Sequence, residues 1–193
     1  MKKIVINLKA GEEKTLPLIW LGEKDEKLEV NCLLDKPGSS LKIFCLFFGS
    51  RNRFELLTSV VHRARDTFSR TLVRGVLEGD AAVHFEGRVA IEKGAKNADG
   101  DLKGHAILLS KTAKAVMIPR LEVLENEVKA GHGASVGKID EEQLFYIMSR
   151  GLNLAGAKRI IIQGFLNTLL PEFPKQQANK LAAAIGLYEH IET

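Results

Sequence analysis

The 193-residue chain is 45% hydrophobic and 27% charged, enough apolar material to fold and enough length for one sizeable core with an appendage, which excludes a disordered chain and most multidomain enzymes. Its longest apolar run, about Ile43 to Phe48, falls far short of the roughly 20 residues of a membrane helix, and Ile4 to Leu8 gives way at once to Lys9 and Lys14. No membrane span and no secretory leader is expected, and the cytoplasm is the expected compartment. The formal charge of +4 is unevenly placed: residues 140–193 hold five Lys/Arg against six Asp/Glu, so the basic excess sits in the front part.

From Ile4 to about Val136 the dominant signal is alternation with period two, the mark of strands with one buried face. It shows at Leu28, Glu29 and Val30, where Val83, Phe85, Val89 and Ile91 alternate with His84, Glu86, Arg88 and Ala90, and again at Leu121, Glu122 and Val123. Turn residues interrupt it at Pro37 to Ser40, Gly49 to Asn52, Gly79 and Asp80, Gly94 to Asn97 and Asp99 to Asp101. Many short strands with frequent corners fit a sandwich, a barrel or a parallel β-helix. Small corner residues and the scarcity of hairpin Asn-Gly or Asp-Gly pairs favour the β-helix, although no fixed period decides it. The two cysteines, Cys32 and Cys45, lie in this region without a CxxC or paired histidines; they read as buried thiols rather than a zinc site.

After Gly137 the texture turns helical. Asp140 is placed as an N-cap, with Glu141 and Glu142 in the first turn and Gln143 three residues on. Leu144, Phe145, Ile147 and Met148 then make one apolar face, with Phe145 expected to pack inward, and Arg150 and Gly151 close the helix. A second helix starts near Asn153 and carries a wide apolar stripe from Leu154 to Leu170, ended by Pro171 and Pro174. A third, from roughly Gln176 to His190, presents Leu181, Ala184, Ile185 and Tyr188. Three such helices need the β body, each other or another protein to pack on.

Few motifs of catalysis appear. Residues 131–138 resemble a phosphate-binding loop, but His132 stands where the Walker pattern needs glycine and Ile139 where it needs Ser or Thr. Glycines on either side leave His132 available as a metal ligand or proton carrier, or as an ordinary turn histidine. There is no G-x-S-x-G elbow and no H-E-x-x-H helix, so a hydrolase is not expected. Arg63, Arg65, Arg70 and Arg74 form a possible basic stripe for nucleic acid, set against the plainer reading of a solvated sheet face; Phe68 alone is near enough to support base stacking.

The stretch from Arg120 to Phe165 is more specific. Arg120 to Val123, Glu127 to Gly137 with its His132, Ala134, Ser135 and Gly137, Ile139 to Gly151 with Glu142, Gln143, Leu144, Phe145 and Tyr146 followed by Ser149, Arg150 and Gly151, and Ala157 to Phe165 together closely resemble the C-terminal signature of the SufB/SufD family. Members of that family are scaffold components of the SUF iron–sulfur cluster assembly machinery. The resemblance implies a mainly β chain: a right-handed parallel β-helix core, here residues 1–138, followed by a small C-terminal α-helical domain, residues 139–193. It implies a non-enzymatic subunit that pairs through its β-helix with itself or with a SufB-like paralogue, and docks a SufC-like ABC-type ATPase through its helices. Glu141, Gln143, Tyr146, Arg150, Arg159 and Phe165 are the docking candidates. His132 matches the family histidine near the end of the β-helix, a candidate ligand to a transient iron–sulfur cluster at the subunit interface that this chain would not hold stably alone. Ala130 stands where some relatives carry a cysteine and Gly133 where SufB-like members carry an acidic residue, which makes this a short, SufD-like member, about half the usual length. Two other readings stay open: a β-helical interaction module without cluster work, and a basic nucleic-acid binder.

Overall fold

The computed structural model describes residues 1–186. Ten strands run in order: β1 (Lys2–Asn7), β2 (Glu13–Trp20), β3 (Glu26–Leu34), β4 (Ser40–Gly49), β5 (Arg53–His62), β6 (Phe68–Leu77), β7 (Ala82–Ile91), β8 (Asp99–Leu108), β9 (Lys114–Val123) and β10 (Lys129–Gly137). Helices α1 (Glu141–Met148), α2 (Leu154–Asn167) and α3 (Lys175–Gly186) follow, with a 3-10 turn at Leu170–Glu172 between the last two. The odd strands form one sheet in the order β1-β3-β5-β7-β9 and the even strands a second in the order β10-β8-β6-β4-β2, every neighbour pair being parallel. This is a parallel β-solenoid of about five turns with two strands per turn, the one of the three architectures open to the alternating region that the family resemblance implied.

Each turn lies in register on the one before, so the alternation becomes a set of rows. Ile6, Cys32, Val60 and Val89 are successive partners facing inward, and so are Ile43, Thr71 and Leu102 in the other sheet. Most of these inward residues are fully buried, and each large aliphatic or aromatic one contributes about 1.5–3 kcal/mol. Large residues fit because the positions they meet are small: a Cβ on Gly75, the row neighbour of Phe47, would stand 2.2 Å from the Phe47 ring, and one on Gly104, in the facing sheet, 3.2 Å from the Phe85 ring.

At one corner the turns are tied by stacked left-handed residues. Gly11, Gly38, Asp66 and Asn97 all have φ between 58° and 72°, and their amides donate to the carbonyls of Pro37, Arg65, Lys96 and Glu127 in the following turn at 2.7–3.3 Å. Their spacing of roughly 30 residues is the repeat that the sequence hides, because the glycine is replaced by Asp and Asn and the connections differ in length.

The outer face of the even sheet is apolar and covered. Phe44, Leu46 and Val76 pack against Ile162, Leu166, Leu169, Phe173 and Leu181 of the helices, so β4 is buried on both faces and reads as the continuous run Ile43 to Phe48. The wide stripe of α2 is used here, with Ala157, Ile161, Ile162 and Leu166 buried. The helix expected to start near Gln176 begins at Lys175; its expected end, with Tyr188 and His190, lies outside the described residues.

The interior also holds polar groups. His62 is fully buried, with Nδ1 2.8 Å from Thr67 Oγ1 and Nε2 2.7 Å from Ser69 Oγ. Since Thr67 Oγ1 donates to the Ala64 carbonyl at 3.1 Å, it accepts from Nδ1–H, and Nε2 accepts from Ser69. The neutral ring is therefore satisfied, and burial pushes its pKa down to about 4. An unfolded histidine titrates near 6.5, so between those values the unfolded chain binds a proton that the native chain refuses. Stability is complete above about pH 6.5 and falls as the pH drops toward 4, by on the order of 3 kcal/mol. Urea unfolding at a series of pH values should show this slope, and His62→Gln should lower stability at pH 7 while flattening it; an equal slope in the variant would refute the assignment.

Candidate functional site

Toward the C-terminal end of the solenoid the fold leaves two surfaces unfinished: the last turn and the first helix. β9 and β10 are the outermost strands of their sheets at this end. Register places Ala130, His132, Ala134 and Val136 on the inward side of β10, and Met117, Pro119, Leu121 and Val123 on the inward side of β9. With no further turn stacked on them, these interior-type residues meet solvent: Val123 and Val136 are each 42% exposed.

His132 is thus an inward-register residue that is exposed because the stack ends there. Its Nδ1 lies 3.2 Å from the Pro119 carbonyl across the mouth of the solenoid. That carbonyl only accepts, so Nδ1 carries the proton and Nε2 keeps its lone pair. The glycines beside His132 serve no close approach: a Cβ on Gly133 would meet nothing within 4 Å, and one on Gly131 would stand 3.4 Å from Asp101 Oδ1. Pro119, which sequence reasoning did not single out, could have been found from its place inside a strand pattern, since a mid-strand proline marks an edge.

The donor set at this end is thin. Among the described residues no three His, Cys, Asp or Glu side chains come together in a way that could hold a metal ion. Cys32 and Cys45 are buried free thiols in the early turns; burial pushes Cys32 up to about 11 and Cys45 further still, so neither is an available thiolate. The described residues therefore do not by themselves fit an iron–sulfur cluster, which is normally held by several thiolates.

The docking candidates separate into two groups. α1 starts where expected, with Asp140 Oδ1 accepting the Gln143 amide at 2.8 Å, and Glu141 and Glu142 in its first turn. It has no buried residue at all. Leu144 and Ile147 are half-buried on one side, whereas Phe145 is 74% and Tyr146 59% exposed. The expectation that Phe145 packs inward is corrected: spacing of three residues turns Leu144 and Ile147 toward the fold and leaves Phe145 on the opposite side. Arg150 holds the Tyr146 ring, donating to its hydroxyl at 2.8 Å and lying 5.1 Å from the ring centroid. Glu141, Glu142, Phe145, Tyr146 and Ser149 line one shallow apolar depression.

Arg159 and Phe165 stand apart, on α2. Arg159 is half-buried, and Phe165 packs on the sheet beneath Arg74, whose guanidinium lies 5.3 Å from its ring centroid. Arg74 also donates to the Phe165 carbonyl at 3.2 Å and to the Thr168 hydroxyl, tying the helix to β6. The basic stripe is likewise dispersed. Arg63 and Arg65 lie in the turn after β5 rather than on a strand. Arg63 forms a bidentate pair with Glu92, Arg65 faces Asp66, and Arg70 faces Asp101 at 3.8 Å. No helix among the described residues is long and apolar enough to cross a membrane.

The family model described as "SUF system FeS cluster assembly, SufBD core domain" matches residues 8–165. The iron–sulfur cluster assembly protein SufD of Bacillus subtilis (strain 168) is 34% identical over 128 residues, 66% of this chain and 29% of that protein. SufD of Escherichia coli (strain K12) is 32% identical over 133 residues, 68% of this chain and 31% of that protein. A SufBD family iron–sulfur cluster assembly protein of Mycobacterium tuberculosis (strain ATCC 25618 / H37Rv) is 28% identical over 171 residues, 89% of this chain and 19% of that protein. The matched stretch is thus less than a third of the length of each of these relatives. With a matching model that spans both the solenoid and the first helices, the chain belongs to the SufB/SufD family.

Proposed function

We propose that this chain is a non-catalytic, cytoplasmic subunit of a SUF-type iron–sulfur cluster assembly complex, pairing through the open end of its solenoid and docking an ABC-type ATPase through its C-terminal helices. The observation that carries the docking part is α1: a helix that buries no side chain of its own yet displays Phe145 and Tyr146 beside Glu141 and Glu142. Exposed aromatics on a helix face are an unfavourable use of apolar surface unless a partner covers them, and aromatic anchors carry much of the energy at protein interfaces. Gln143 and Arg150 belong to the same turns: the Gln143 amide donates to the Asp140 cap, and Arg150 fixes Tyr146 as a positioning residue for that surface. Arg159 and Phe165 lie on α2, and Phe165 supports that helix on the sheet.

The cluster is the cargo of such a complex rather than a resident cofactor. His132 would contribute at most one ligand, through Nε2, with the remainder coming from the paired subunit. The thin donor set also suits a second reading, a solenoid interaction module that no longer takes part in cluster assembly. Nucleic-acid binding has little support, since Arg63, Arg65 and Arg70 face carboxylates and Arg74 is taken up by α2.

Two measurements test this. In a pull-down or calorimetric titration with the ABC-type ATPase of the same organism, Phe145→Ala combined with Tyr146→Ala should weaken binding at least about 30-fold and leave the melting temperature within a few degrees, because neither side chain is buried. Unchanged affinity would sink the docking surface. Anaerobic reconstitution of the isolated chain with iron and sulfide should give no stable cluster absorbance, and a stable chromophore unaffected by His132→Ala would contradict the ligand assignment.

A further inference from the structure

On the outer face of the odd sheet bases stand across from acids of the neighbouring turn. Lys3 meets Glu29 at 3.1 Å, Lys27 meets Glu55 at 2.6 Å, Arg120 meets Glu86 at 2.9 Å and Arg88 meets Glu122 at 2.6 Å. One row at the start of these strands breaks the pattern. Arg53, Ala82 and Lys114 are successive register partners on β5, β7 and β9, and all three lie on the outward side. Two cations thus flank a methyl group at the level where the neighbouring rows place a carboxylate. With strands about 4.8 Å apart, the Cα atoms of Arg53 and Lys114 lie about 9–10 Å from each other, a gap that two long side chains can close on one small ligand.

The gap is part of a groove of about 1020 Å³ that runs across the starts of the odd strands. Asp80 and Lys111 line it from the turns before β7 and β9, and His84 lines it two residues beyond Ala82 on the same face of β7. The turn that carries Lys111 is fixed: Ser110 Oγ and Thr112 Oγ1 both donate to the Gly79 carbonyl, and the Lys114 amide donates to the Ala81 carbonyl at 3.0 Å. Among the described residues none of Arg53, Lys111 and Lys114 pairs with a carboxylate. The acids of the groove are engaged or lie elsewhere. Glu55 takes Lys27, Asp25 Oδ1 accepts the Arg53 amide at 2.8 Å, and Glu26 lies one turn away from Arg53, opposite Phe54. Asp80 is the acid nearest the level of Ala82 in sequence, and it forms no ion pair among the described residues.

We infer that the gap over Ala82 binds the phosphate or diphosphate group of a small soluble ligand, held between Arg53 and Lys114 with Lys111 closing it from the turn. Three cations around one small apolar position, none of them neutralised by a carboxylate of the chain, focus positive potential there, and a multiply charged oxyanion gains more from it than a single carboxylate does. The arginine offers a planar fork that matches two phosphate oxygens, and the lysines act as point charges. Beyond the gap the groove continues past His84 and Val116, which is 45% exposed, and has room for the body of the ligand. The site shares no residue with α1 or with the His132 region, so it stands independently of the function proposed above.

The test is calorimetric titration of the full chain with inorganic pyrophosphate. At an ionic strength of about 20 mM it should give one site with a dissociation constant below about 1 mM, weakened severalfold at about 0.15 M salt. Arg53→Ala and Lys114→Ala should each weaken binding at least about threefold. Ala82→Asp supplies the carboxylate from within the row; it should weaken binding at least about tenfold while the melting temperature is retained or raised. Asp80→Asn removes the nearest opposing charge and should tighten binding. Lys42→Ala, the same loss of charge on the other sheet, should leave binding within about twofold. The inference is overturned if pyrophosphate does not bind, or if binding survives Ala82→Asp. Equal weakening by Lys42→Ala and Lys114→Ala also overturns it, because that is the mark of diffuse charge attraction rather than of a site.

Discussion

In-register stacking of one parallel turn on the next is the constraint on which the rest of this molecule depends. It forces each inward residue to lie beside the equivalent residue of the neighbouring turn, so core packing is decided row by row, and a large residue such as Phe47 requires a small one such as Gly75 at the next level. It also concentrates every unsatisfied demand at the ends. Inside the stack the backbone groups of each strand are taken by two neighbours; at the end strands, β1 and β2 at one end and β9 and β10 at the other, they have one.

That asymmetry connects fold to function. The histidine that matters to the family reading is exposed because it occupies an interior row at the point where rows stop, and its tautomer is set by a carbonyl from the other sheet. The helices answer a different demand. The even sheet has an apolar outer face that must be covered, and α2 covers it with the stripe that first looked like surplus. α1 follows the last strand yet has no fully buried residue, only Leu144 and Ile147 half-buried against the fold, so the aromatics on its other side are the apolar surface left for a partner. Arg74 links the two halves by holding the Phe165 turn of α2 against β6.

Much of this was legible in the sequence because it depends on short-range patterns. Alternation located the strands, the Asp140 and Asn153 caps located the first two helices, and the motif from Arg120 to Phe165 pointed to the family. What stayed hidden depends on parity and on distant partners. The repeat was masked because the stacked corner position is Gly, Gly, Asp and Asn in turn, four residues that share a left-handed backbone without sharing a side chain. Phe145 was assigned inward from its hydrophobicity, although Leu144 and Ile147 already supply the face that α1 turns to the fold. Arg63 and Arg65 were grouped with Arg70 and Arg74 by spacing alone, and the turn between β5 and β6 separates them. The role of Pro119 could not be read from β9 by itself, since it depends on an imidazole from the opposite sheet.

Residue-resolved amide hydrogen exchange along β10 tests the central claim most directly, that strands inside the stack have both backbone edges taken while the end strands β1, β2, β9 and β10 have one. In dilute monomer Gly131, Gly133 and Ser135, which face β8, should exchange slowly, while Ala130, His132, Ala134 and Val136 exchange fast. Uniform protection along β10 in the monomer would contradict it.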